Sequence, residues 1–248
     1  DEMLIREVGI KFALGENPKS TFSDKDSTPV TRMATAALIR EALYKAKRYM
    51  QDKAEAEENG ESAPDYDIKC EALIPLLKHK LKAHFHCHRA DDIMTAVRIA
   101  KEFDLDYVLV HCTEGYIIAD ILGEEKACAL TGPIICDRGK PELSKLTTEN
   151  AGILYKNGVK VAICTDHPEI PVQYLAASAA YCVKAGLPRE EAIRSLTVNP
   201  AQILGIYARV GSITVGTDAD MVLFNGDPLE IMTDAVMTMI NGRIVSRK

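Results

Sequence analysis

Leu81-Lys-Ala-His-Phe-His-Cys-His-Arg-Ala-Asp-Asp92 is the stretch on which the fold turns. It sets His84, His86 and His88 at alternate positions, and alternate side chains of a β-strand share a face. Beyond them come Arg89 and the pair Asp91 and Asp92, which are suited to cap a following helix. Three imidazoles on one strand face make half of a metal site.

Working outward, strands and helices alternate. Upstream, the apolar run 10–14 reads as a buried strand closed by the turn Gly15-Glu-Asn-Pro18, which puts Glu16 at its C-terminal mouth. A long helical pattern over 31–58 stops at Asn59-Gly60, and a second helix is expected over 68–80, so residues 30–80 form a helical insertion. The acidic end of the longer helix is read as a solvated face. Downstream, strands are expected over 107–111, 127–131 and 159–164. Helices are expected over 92–103, 116–122, 149–157, 172–185 and 189–196. Asn199-Pro200 reads as an N-cap and first helical position for a short helix over 201–204. Glycine and Asn-Gly signals then separate short strands at 220–224, 235–240 and 243–246, the last two joined by the hairpin signal Asn241-Gly242.

Alternating β and α with apolar, β-branched strands indicates a parallel sheet covered by helices. Glu16, His86, His111 and Asp166 all fall at the C-terminal ends of different expected strands. In a (β/α) barrel those ends ring one mouth, where such barrels do their chemistry. In an open doubly wound sheet they would be strung along an edge. The barrel is favoured.

Composition narrows the function classes. With 248 residues, 47% apolar and 27% charged, the chain suits one large α/β domain with or without a small one. A net charge of -6, with no basic stripe, argues against nucleic acid or an anionic membrane as partner. No stretch is apolar enough to span a bilayer. The seven cysteines form no C-x-x-C pair and read as reduced, buried thiols of a cytoplasmic protein.

Six segments, in order, carry a resemblance to a known family. They are His86-Cys-His-Arg-Ala-Asp-Asp-Ile93, Leu109-Val-His-Cys-Thr-Glu-Gly115, Gly132-Pro133, Ile163-Cys-Thr-Asp-His-Pro168, the run from Leu196 to Gly205 and that from Gly211 to Val222. Together they resemble the amidohydrolase superfamily, particularly its imidazolonepropionase-like and prolidase-like members. The resemblance implies a TIM-type (β/α)8 barrel and an enzyme that hydrolyses a C–N bond of a small molecule: an amide, cyclic amide or amidine. It implies one or two divalent ions, with zinc favoured because imidazoles and a carboxylate suit it. His86 and His111 map to the family's metal-binding histidines. Asp166 maps to the aspartate that binds metal and moves the proton between water and leaving nitrogen. Glu16, or Lys11 further up the same strand, stands where the family bridges two metals. Arg89, His88 and His167 are assigned to the substrate.

Plainer roles stay open for each: a buried structural histidine at His111, a cap at Asp166, a turn glutamate at Glu16, an ion pair for Arg89 with a neighbouring carboxylate. Which of His84, His86 and His88 binds metal also stays open, with His86 favoured. Asp218 and Asp220 are read as turn and strand-edge residues.

The departure from the family lies upstream. No His-x-His pair precedes Gly9, and about five of a barrel's eight strands are accounted for. Residues 1–207 are therefore expected to be an N-terminally truncated barrel, and 208–248 part of a small β-sandwich. By themselves these residues are expected to lack hydrolase activity. The alternative of a different class is a non-catalytic binding module or subunit with the same fold. A homo-oligomer is also open.

Overall fold

The computed structural model describes residues 4–5, 7–23 and 25–248. The chain forms two compact units, one of residues 7–110 and one built on 111–248.

In the first unit the order is β1 (Gly9–Ala13), α1 (Glu16–Ser23), α2 (Arg32–Asn59), α3 (Ile68–Leu77), β2 (Lys82–Cys87) and α4 (Ala90–Glu102). The long helix α2 begins where Thr31 accepts the N–H of Ala34 and ends at Gly60, whose left-handed φ of 68° closes it. Asp67 caps α3 by accepting from Lys69 and Cys70. The two helices pack through Ala46, Tyr49 and Cys70 against Leu73, Ile74 and Leu77, within the insertion expected over 30–80. β1 pairs parallel with β2 in the register Lys11↔His84 and Ala13↔His86. Phe12 and Phe85 stack at 5.1 Å between ring centres. Gly9 is required by the closeness of that pairing, since a Cβ would meet the Lys82 carbonyl oxygen at 2.5 Å and the His84 ring at 2.8 Å. α4 buries Ile93, Ala96, Val97, Ile99 and Ala100 along one face.

The expected role at the helix start holds for Asp91, whose Oδ1 accepts the first-turn N–H of Asp92 at 3.1 Å, and is corrected for Asp92. Arg89 is the N-cap residue of α4 and makes no side-chain cap bond. Asp92 is buried and ion-paired to Arg32 at 3.0 Å, while Asp91 pairs with Arg89. For the buried Asp92 carboxylate, the Arg32 guanidinium supplies a charge-assisted bond in place of a helix N–H.

β3 (Tyr107–His111) leads into the second unit, which continues with a 3₁₀ turn at Gly115–Ile118, α5 (Ala119–Glu124) and β4 (Cys128–Thr131). Then come α6 (Asn150–Lys156), β5 (Lys160–Ile163), α7 (Leu175–Lys184), α8 (Arg189–Leu196) and α9 (Val198–Ile203). β4 and β5 pair parallel, Cys128↔Lys160 to Thr131↔Ile163. Val108, Leu109, Ala129, Val161 and Ala162 are fully buried, as the apolar strand sequences of a covered parallel sheet require. The five strands form one sheet in the order β1-β2-β3-β4-β5, the sequential order of a (β/α) barrel wall.

Asn199 is a second correction. It lies inside α9, which starts at Val198, and its amide donates to the Val161 carbonyl at 2.8 Å and to Glu191 at 2.7 Å. A buried acceptor on β5 claims a side chain that the local sequence offered as a cap.

A separate antiparallel sheet, β6-β7-β8, consists of Met221–Phe224, Ala235–Ile240 and Arg243–Arg247. Asn241 and Gly242 both have positive φ, 47° and 76°, as a two-residue hairpin turn of this sequence demands. Asp218 pairs with Arg209 and Asp220 accepts the N–H of Asn241, which are the turn and edge roles expected. Among the described residues no helix is long and apolar enough to cross a membrane.

Candidate metal centre

β2 delivers His86 as its penultimate residue, and His88 follows just beyond the strand, before α4 begins. Both are 4% exposed. Their rings meet edge to face at 5.0 Å. The side chain of Asn17, in the first turn of α1, reaches Nε2 of His86 at 3.2 Å. An amide offers a donor at one end and an acceptor at the other, so Asn17 can hold this ring with either nitrogen protonated.

His111 closes β3 and is 3% exposed. Its Nδ1 lies 2.7 Å from the Gly132 carbonyl oxygen. A carbonyl only accepts, so Nδ1 carries the proton and the lone pair of the neutral ring falls on Nε2. The backbone here is unusual, with φ of 70° at His111 and 47° at Cys112. Two successive non-glycine residues in that region cost roughly 1 kcal/mol or more each and need surrounding contacts to hold them. Gly132 must be glycine as well: its φ is 141°, and a Cβ would stand 2.0 Å from the Cys164 carbonyl oxygen.

The ligand atoms of His86, His88 and His111 all lie within 4.8 Å of one another. Three buried imidazoles at that separation cannot all be charged without mutual repulsion in a low-dielectric setting. As neutral rings they form the donor set that a divalent transition metal takes.

The sequence pattern of the Amidohydrolase family matches residues 7–245. The chain belongs to the amidohydrolase family. It is 28% identical over 248 residues to an amidohydrolase, tasK, of Hapsidospora irregularis, covering 94% of this chain and 25% of that protein. It is 32% identical over 93 residues to the imidazolonepropionase of Maricaulis maris (strain MCS10), covering 36% and 23%. The crystal structure of an amidohydrolase from Thermotoga maritima MSB8 superimposes with a TM-score of 0.94 at 41% identity, over 97% of this chain and 63% of that one. The chain thus spans about a quarter of these curated relatives and under two thirds of the solved structure.

Within this amidohydrolase chain the other expected residues take varied places. Glu16 opens α1 and pairs with Arg32 at 3.0 Å and Lys19 at 3.4 Å. Burial pushes its carboxyl up, but hydrogen bonds from Arg32 and Lys19 outweigh it and leave the group below the ordinary glutamate value. Lys11 is exposed on β1. Asp166 lies three residues past β5, exposed, with φ of 53°. His167 is exposed and precedes a cis peptide to Pro168. Arg89 makes two 3.0 Å bonds to Asp91. Among the described residues the clustered ligand group contains His86, His88 and His111, without Glu16 or Asp166.

His84 stands apart from this group. Its Nε2 is buried with no hydrogen-bond partner among the described residues, and burial, aided by nearby Lys82, lowers its pKa, so the ring is neutral. His88, assigned to the substrate and also kept open with His84 and His86 as a possible ligand, lies in the imidazole cluster. One contact has no signal in the sequence. Asn17 sits in a turn-like Glu-Asn-Pro string and carries no local mark of its contact with His86.

Proposed function

We propose that the full-length protein containing this chain hydrolyses a C–N bond in a small molecule, an amide, cyclic amide or amidine, at a divalent metal centre. The gathering of three buried imidazole nitrogens within 4.8 Å carries this reading. His86, His88 and His111 would hold the ion. Zinc is proposed because neutral imidazoles backed by carbonyl and amide partners are its usual donor environment. A bound divalent ion supplies Lewis acidity, which acidifies water and polarises a carbonyl.

The chain's own groups supply the rest. Asp166 is proposed to take the proton from water at its carboxylate and return it to the leaving nitrogen. Arg89 and His167 are proposed to face the substrate, with the Arg89 guanidinium exchanging Asp91 for a substrate carboxylate. Glu16 is proposed as a further carboxylate near the metal, reached by releasing Arg32. The division into residues 1–207 as barrel and 208–248 as sandwich belongs to the same proposal. A cytoplasmic setting is supported by seven free cysteines, four of them buried.

Metal analysis of the purified full-length protein, followed by assay against a panel of amides and cyclic ureas, tests the proposal. Bound metal is expected, with turnover abolished by chelation and restored by zinc. Asp166→Asn should keep the metal and lose about 10²-fold or more in kcat. Stoichiometric metal with no turnover of any C–N substrate would replace the hydrolase with a metal-binding module.

A further inference from the structure

We propose that Asn150 is the positioning residue that holds the His111 imidazole in its ligand orientation. The inference rests on the metal reading above. Its geometry, though, stands in the chain itself.

Asn150 is the first residue of α6 and is 2% exposed. Its Nδ2 donates to the Cys112 carbonyl at 3.0 Å and to Thr131 Oγ1 at 3.1 Å. Its Oδ1 accepts the Tyr116 N–H at 2.9 Å. The orientation of the amide is set by its partners, because a carbonyl can only accept and a backbone N–H can only donate. One side chain therefore ties the end of β3, the end of β4 and the 3₁₀ turn that follows β3.

Both ends of the His111 hydrogen bond run through this hub. On one side, His111 and Cys112 occupy successive left-handed conformations, and Asn150 grips the carbonyl of the second. On the other, Asn150 grips Thr131, whose neighbour Gly132 supplies the carbonyl that accepts from His111 Nδ1. The Thr131 carbonyl also accepts the Cys164 N–H at 3.0 Å, and Gly132 is wedged against the Cys164 carbonyl, so the acceptor cannot follow a moving histidine. Freeing the Asn150 amide releases the strained pair His111-Cys112 from its anchor, and the Nδ1–H bond lengthens.

Asn199 provides the control. It too is a buried asparagine donating to a strand carbonyl, Val161, and to Glu191, but among the described residues neither partner is a chain neighbour of His111 or Gly132, as Cys112 and Thr131 are for Asn150. In the full-length protein, Asn150→Ala and Asn150→Asp are compared with Asn199→Ala by three measurements. They are the thermal midpoint, zinc affinity by chelator competition, and the ¹H–¹⁵N signal of His111 Nδ1–H in metal-free protein. Both Asn150 variants are expected to weaken zinc binding roughly 10-fold, the lower end for residues supporting a metal ligand. They should also lose the protected Nδ1–H signal. Asn199→Ala, at a comparable loss of thermal midpoint, should change neither. Should Asn150→Ala fail to fold, Asn150→Asp keeps the side chain's shape and its bond from Tyr116 and carries the comparison alone. Unaltered zinc affinity and an unaltered Nδ1–H signal in a folded Asn150 variant would overturn the proposal. Equal effects from Asn199→Ala would do the same. If the parent protein binds no zinc, the metal reading fails while the Nδ1–H signal still decides the positioning role.

Discussion

His111 donates its Nδ1 proton to the carbonyl oxygen of Gly132 at 2.7 Å, and that bond decides which face of the imidazole is offered to a ligand. A metal-binding histidine is generally set by the partner of its other nitrogen. Here the partner is a carbonyl locked between two strand ends. The most direct consequence concerns Gly132. Gly132→Ala places a Cβ 2.0 Å from the Cys164 carbonyl oxygen at a φ of 141°, and should cost about 3 kcal/mol or more. Gly158→Ala, also at positive φ but with open space around it, should cost only about 1 kcal/mol. Urea denaturation of both separates collision from conformational preference; similar losses would remove the wedge.

His88 lies among the buried imidazoles, and the proposed metal site counts it as a ligand where the sequence assigns it to the substrate. His88→Asn is expected to reduce metal content as far as His86→Asn does, measured by elemental analysis after dialysis. Full metal content with only a raised KM would return His88 to the substrate.

Arg32 joins Glu16 and the buried Asp92, each at 3.0 Å. Arg32→Met strands the Asp92 carboxylate, and the expected loss at pH 7 is about 3 kcal/mol, the low end for a broken buried pair because Arg32 is partly exposed. Burial already raises the Asp92 carboxyl above its ordinary 3.8, with Arg32 opposing it; removing Arg32 raises it further. The folded state then holds a proton that the unfolded state has released. The penalty relative to the parent therefore opens as pH rises through the parent's own raised folded value and is complete above the still higher value of the variant. Stability measured at pH 4 and pH 7 should show the smaller loss in acid, and Asp92→Leu added to Arg32→Met should recover much of it. Equal losses at both pH values would mean that the guanidinium acts by packing alone.

Asp67 gives the opposite pH dependence. Its ion pair with Lys45 and its acceptance of the Cys70 N–H hold its carboxyl down from 3.8 to about 2. The stabilisation is complete above about pH 3.8 and is lost as pH falls through about 2. Asp67→Ala should thus lower the thermal midpoint at neutral pH, with the gap to the parent closing between pH 4 and pH 2. A gap of constant size down to pH 2 would show that the charge contributes nothing.

Much of the fold was legible because its determinants are local. The strand at Tyr107–His111 and the helix at Arg189–Leu196 occur with the limits read from their apolar patterns. Thr31 and Gly60 bound α2 through bonds and dihedral angles that reach no further than four residues. The Asn241-Gly242 hairpin follows from two residues that tolerate positive φ. In each case the residues that make the structure are also the ones that signal it.

The site was legible in part. Alternate spacing put His84, His86 and His88 on one face, and the sequence alone established that a histidine-rich strand end would lie near the mouth of a parallel sheet. It could not choose among the three, since alternation holds only while the backbone stays extended and β2 ends at Cys87. Tertiary structure separates them: His84 is taken up against Gly9, while His88, past the strand's end, lies with His86 and His111. It likewise gave Asp92 a partner in Arg32, sixty residues away, and gave Asn150 and Asn199 carbonyls on distant strands. Polar side chains take whichever complementary group the folded chain brings within about 3 Å. Which group that is depends on how separate segments meet, and no local pattern records it.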